Sequence, residues 1–155
     1  MRSKKSLFGI SSVAFLMLAA GLGVSQAPMP SVPGVYLLIE VNGKTLPAVS
    51  WTKAAAGKRC KTETLAGALL LDSEGRWASL VTERDVCVHE DGSETADKES
   101  SMIFNGTYKI SGNQITLQDE TSVDQAILKG ELLVLKVVGV GLFEGQTTEY
   151  VLRRH

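Results

Sequence analysis

Beyond residue 34 the chain alternates apolar and polar side chains with a period of two. Over 102–110, Met102, Phe104, Tyr108 and Ile110 share one side while Asn105, Thr107 and Lys109 share the other, the spacing of a half-buried strand. The same reading predicts strands over 35–41, 58–71, 76–88, 114–118, 123–128, 131–138 and 147–153. Turn chemistry separates them. Asn42-Gly43 ends the branched and aromatic run 35–41 and signals a tight hairpin. Asp72-Ser73-Glu74-Gly75 places glycine where a positive φ is needed. Ser111-Gly112-Asn113, Lys129-Gly130 and the glycine-containing stretch 139–145 divide the later strands.

One stretch breaks the pattern. Trp51 and the Ala54-Ala55-Ala56 run predict a helical turn or two over 50–57, too short to persist alone. No long amphipathic helix links the strands, which argues against parallel βαβ units. Eight or nine short strands with tight turns predict an all-β fold, an antiparallel up-and-down barrel of about eight strands; a two-sheet β-sandwich is the alternative.

The first 27 residues follow another rule. Arg2, Lys4 and Lys5 precede an apolar run over 7–24, small residues follow at Ser25 and Ala27, and no acidic residue occurs before Glu40. These are the parts of a secretory signal peptide. Pro28 disfavours cleavage after Ala27, which makes Ser25 the second candidate, and retention of the run as a single-span anchor is the alternative. Residues 28–33 then form a proline-rich leader and 34–155 a single β-barrel domain, periplasmic or secreted. The whole chain has 155 residues, 44% hydrophobic, with 16 basic against 17 acidic. Removing 1–27 takes away three positive charges and leaves 128 residues with 13 basic and 17 acidic groups, a net of −4. Such a domain opposes nucleic acid and anionic lipid, and no membrane span is expected in the mature chain.

Export gives the two cysteines a meaning. In an oxidising compartment Cys60 and Cys87 are expected to form a structural disulfide. If Asp72 pairs with Gly75 across a two-residue loop, paired positions add up to 147, as 60 and 87 do. If Gly75 instead takes the left-handed position of a three-residue loop, pairs add up to 148 and the cysteines fall out of step by one. A bulge, for which Gly67 is the candidate, would realign them.

Few residues suggest chemistry. The only histidines are His89 and His155, neither in a zinc-ligand spacing. His89, Glu90, Asp91 and Glu94 read as a solvated acidic loop rather than a metal site. No phosphate loop, dinucleotide fingerprint or nucleophile elbow occurs. Glu83 and Asp85 share a strand face; turned into a cavity they would act as acid and base or hold a cationic group, while the commoner reading is a solvent face near a strand end. Lys53, Lys58, Arg59 and Lys61 read as solvated surface, lacking the aromatics of a nucleic-acid platform. Asn105-Gly106-Thr107 matches a glycosylation acceptor by spacing alone. The expectation is a protein that is not an enzyme and holds neither metal nor cofactor.

Gly34-Val35-Tyr36, Gly75-Arg76-Trp77 and Gly106-Thr107-Tyr108 each set an aromatic two residues after a glycine. The glycine leaves room for a ring to cross the backbone at a barrel bend. Together with the short strands, the export signal, the single cystine and Arg153 soon after Tyr150 in the last strand, Gly34-x-Tyr36 resembles the opening of the lipocalin-like, or calycin, barrels. In that family a Gly-x-Trp packs against an arginine of the last strand and plugs the closed end. The resemblance implies those places for Gly34, Tyr36 and Arg153 (or Arg154), with tyrosine where the family has tryptophan.

Two functions follow. The first is binding of a small apolar ligand or lipid in a cavity lined by Tyr36, Trp77, Phe104 and Tyr108; the run 132–143, apolar on both faces, supplies inward surface beyond what a filled barrel needs. The second is a periplasmic protein-binding module, protease-inhibitor-like or an envelope accessory. It would have a filled barrel and no ligand, and would present the leader or the loop 90–101 to an envelope protein.

Overall fold

Asn42 and Gly43 both take positive φ, 51° and 72°, the primed turn their sequence prescribes. Similar reversals carry antiparallel strands along nearly all of the described residues. The computed structural model describes residues 31–55 and 58–155; the expected signal peptide and the start of the proline-rich leader lie outside them. The strands are β1 (Gly34–Val41), β2 (Lys44–Thr45), β3 (Ala48–Ala55), β4 (Lys58–Leu71), β5 (Arg76–Val88), β6 (Glu94–Ala96), β7 (Ser100–Ser111), β8 (Gln114–Gln118), β9 (Val123–Lys129), β10 (Leu132–Val138) and β11 (Thr147–Arg154). Eight of them, β1-β4-β5-β7-β8-β9-β10-β11, form a ring that closes because β1 pairs with both β4 and β11. A single closed sheet is a barrel and excludes the sandwich. Among the described residues the only helical piece is the 3-10 turn Gly141–Phe143.

The helical turn predicted over 50–57 is not formed. Trp51 through Ala55 pair residue by residue with Thr62 through Lys58, and these ladder hydrogen bonds outweigh the helix preference of a short alanine run. Residues 56 and 57 lie outside the described residues.

The two ends of β4 have different partners. Its second half pairs with β1 over Ala68 to Leu71, its first half with β3 over Lys58 to Thr64. Near the turn the β4–β5 register follows the three-residue-loop alternative, with Leu71 opposite Trp77 and Gly75 at φ 82°. A bulge between Thr64 and Ala66 then shifts the ladder by one, so that Cys60 stands opposite Cys87 and the disulfide joins them. The bulge sits at Leu65 and not at Gly67. Gly67 instead lies close under β1, where a Cβ would stand 3.0 Å from Leu38 Cδ2.

Where β3 and the start of β11 diverge, side chains replace the missing ladder. Gln146 exchanges two hydrogen bonds with the Thr52 backbone, accepting from its N–H at 3.0 Å and donating to its carbonyl at 2.6 Å. The buried Thr148 hydroxyl donates to the Ser50 carbonyl, and Asn42 bridges the Val49 carbonyl and the Glu149 N–H. Each bond contributes about 1 kcal/mol or somewhat less.

The barrel is filled at the end that carries the 72–75 turn. Tyr36 is fully buried and donates to the Val32 carbonyl at 2.7 Å; Tyr108 donates to the Asp72 carbonyl. Leu71, Ile115, Leu117, Leu128 and Leu133 complete this plug. Two glycines let the walls approach. The Trp77 indole crosses Gly106, where a Cβ would meet Gln118 O at 2.0 Å, and the Arg154 guanidinium crosses Gly34, where a Cβ would stand 3.1 Å from Nε. Arg154 is the arginine at the closed end, donating to the Ser31 and Pro33 carbonyls. Arg153 is exposed, because period two turns Tyr150, Leu152 and Arg154 to one face and Arg153 to the other.

Replacing both cysteines by alanine removes a cross-link spanning 27 residues of sequence, and should lower stability by about 3 to 4 kcal/mol. Guanidinium unfolding measures this directly, and a variant with the wild-type midpoint would refute it. Gly106→Ala meets backbone rather than a movable side chain, so a loss of about 3 kcal/mol is expected; Thr107→Ala, on the outer face, serves as the control with near-wild-type stability.

Candidate functional site

Above the plug the barrel is hollow, with a cavity of about 600 Å³. A sealed dry void of that size would cost about 14 kcal/mol at ~24 cal/mol per Å³, as much as the whole stability of a typical domain. The wall is in fact open. β7 pairs with β8 only from Thr107 onward, and β9 pairs with β10 only up to Lys136, so upper β7 and upper β10 have no strand between them. Met102 and Phe104 flank this opening on one side, Val138 and Val140 on the other, and the 119–122 turn lies below. All four apolar residues are partly or largely exposed although they belong to the cavity lining.

The body of the cavity is apolar: Leu69, Trp77, Val81, Leu117, Leu135 and Leu152. At its upper end the chemistry changes. Trp51 and Phe143 pack with ring centroids 5.3 Å apart, and the Lys53 ammonium lies 5.9 Å from the Phe143 ring while bonded to Asp85. The two inward carboxylates of β5 stand directly opposite β4 threonines, Glu83 facing Thr64 and Asp85 facing Thr62.

Their environments differ. Asp85 is satisfied on both oxygens, Oδ1 by the Thr62 hydroxyl at 2.6 Å and Oδ2 by Lys53. Burial pushes its carboxyl up, but Lys53 and Thr62 together outweigh burial and hold it below the usual range. Glu83 is 7% exposed; the Thr64 hydroxyl donates to Oε1 at 2.9 Å, and the Ser50 hydroxyl divides its one proton between the same oxygen at 3.3 Å and the Thr62 carbonyl at 3.2 Å. Among the described residues no cation pairs with it and no group donates to Oε2. Burial raises the Glu83 pKa, the Thr64 and Ser50 bonds offset part of the rise, and the charge of Asp85 adds to it. Tyr150, half-buried beside Glu83, is pushed far up, first by loss of solvent and then by that carboxylate.

Of the four aromatics assigned to a cavity from the sequence, Trp77 and Phe104 line it. Tyr36 and Tyr108 do not; they belong to the plug, where backbone carbonyls satisfy their hydroxyls. Glu83 and Asp85 face inward, which corrects the solvent-face reading of this pair. Their parity with Trp77 and Cys87 along β5 was the available signal. Lys53 likewise leaves the solvated basic cluster and lines the cavity, whereas Lys61 pairs with Glu63 at 2.9 Å. Trp51, Tyr150 and Leu135 are lining residues that period-two reading did not single out. In the acidic loop His89 bonds Thr95 and Asp91 caps Ser93, and no metal-holding cluster forms among the described residues.

A carboxyl whose pKa is raised by folding stabilises the fold only while protonated, so its ionisation costs stability as pH climbs past the ordinary glutamate value of 4.5. Glu83→Gln should therefore be more stable than wild type near neutral pH, by on the order of 1 kcal/mol, with the difference shrinking on acidification. Melting curves across the acid range test it; a pH-independent difference would contradict the assignment.

No protein-family model, no curated protein and no solved structure matches the chain, and the functional reading accordingly rests on this cavity and its carboxylates.

Proposed function

We propose that this protein is an exported barrel that binds a small apolar ligand or lipid in its cavity and catalyses no reaction. The cavity carries the reading. An eight-stranded barrel has an interior that side chains alone can fill, yet here about 600 Å³ are left open, within the range of small-molecule sites. Its lining is mainly aliphatic and aromatic, and its side opening has apolar edges. A solid interior, the premise of the protein-binding alternative, is absent in the upper half.

Periplasmic or secreted location is part of the same proposal. The Cys60–Cys87 disulfide is compatible with an oxidising compartment. No helix among the described residues is long and apolar enough to cross a membrane.

The test uses N-phenyl-1-naphthylamine, an uncharged apolar fluorophore. Its emission should rise on addition of the protein, with quenching of Trp77 and Trp51, both of which line the cavity. Val81→Trp, which fills the cavity from β5, should weaken binding about tenfold or more, the equivalent of about 1.4 kcal/mol. Absence of any enhancement with the folded wild type would overturn the proposal.

A further inference from the structure

The Glu83 carboxylate has no use in a plain apolar container. It is more than nine-tenths buried, accepts the Thr64 hydroxyl on Oε1 and shares the Ser50 proton there with the Thr62 carbonyl, and leaves Oε2 without a protein donor among the described residues. A charged group in that position is costly unless something pairs with it. Lys53, a cation of the same lining, is engaged by Asp85. Arg84, next in sequence, is engaged by Glu63 at 3.0 Å.

The groups that face Glu83 come from three strands besides its own. β3 contributes Ser50, Trp51 and Lys53; β4 contributes Thr62 and Thr64; β11 contributes Tyr150; and Asp85 follows on β5 itself. Lys53 pairs with Asp85, Asp97 and Lys98 add one charge of each sign to the lining, and an ionised Glu83 is left without a partner cation among the described residues. An anionic head group would meet two carboxylates there. A cation would meet Glu83 Oε2, with Trp51 and Tyr150 in the lining around it.

Resting on the binding reading above, we propose that the ligand is a cationic amphiphile, an alkyl or aryl amine whose ammonium seats against Glu83 and whose apolar tail extends toward Trp77. The two ends of the cavity match the two ends of such a molecule. The Thr64 hydroxyl holds the carboxylate in place, and the ammonium supplies the missing donor.

Displacement of N-phenyl-1-naphthylamine by decylamine, 1-decanol and decanoate at neutral pH reads head-group preference at constant tail length. Decylamine should displace the fluorophore about tenfold more tightly than decanol, the scale of one charge-assisted hydrogen bond, with decanoate weakest. Glu83→Gln should bring the amine-to-alcohol ratio close to one. In the wild type, acidification through the raised Glu83 pKa should do the same without any substitution. Equal displacement by all three compounds, or an amine preference that survives both Glu83→Gln and acidification, would overturn this proposal while leaving the cavity as a binding site. Failure of the fluorophore itself to bind would overturn both.

Discussion

The bulge at Leu65 in β4 is the constraint on which the other features depend. Toward the turn, Gly67, Leu69 and Leu71 face inward opposite Val81, Ser79 and Trp77; past the bulge the inward positions become Thr64, Thr62 and Cys60, opposite Glu83, Asp85 and Cys87. One extra residue therefore sets the disulfide in register and lays hydroxyls beside the carboxylates. It also falls where β4 exchanges β1 for β3 as its partner. A strand that bends and twists at a bulge can serve two neighbours that do not lie in line.

The barrel divides its energetics between its two ends. The plug buries large apolar side chains at about 1.5 to 3 kcal/mol each, and its Tyr36 and Tyr108 hydroxyls donate to backbone carbonyls, as does the indole of the cavity-lining Trp77. The hollow end forgoes that packing. It is held instead by a covalent bridge, by the Gln146, Thr148 and Asn42 contacts across the seam, and by the threonine–carboxylate pairs. The shortness of the β8–β9 hairpin, which reverses at the Asp119 turn, leaves the side of this end open. Asp119 fixes that turn by accepting the Thr121 and Ser122 N–H groups, and these bonds hold its carboxyl below the usual range.

Glu83 illustrates why such a site escapes a reading by pattern alone. Charged side chains at period two ordinarily mark the wet face of a strand, because an unpaired buried charge is costly. The parity with Trp77 and Cys87 pointed the other way, and it becomes decisive only once β5 is known to run unbroken along the inside of a closed ring. Tyr36 and Tyr108 show the converse. Both were legible as inward aromatics after glycine, but whether an inward ring lines a cavity or fills a plug depends on its height in the barrel, which strand tilt and register decide.

What the amino-acid sequence determined by itself is therefore local and periodic: strands from alternation, hairpins from Asn42-Gly43 and from the Gly75 turn, and an all-β barrel from many short strands, with the Cys60–Cys87 bridge expected from the compartment while position counting left two registers open. Tertiary structure alone decided where the ladder slips, that residues 48–55 extend as a strand, which arginine meets Gly34, and which half of the interior remains empty. These outcomes depend on contacts between residues tens of positions apart, and a closed sheet settles them collectively, because each strand's register limits that of the next around the ring.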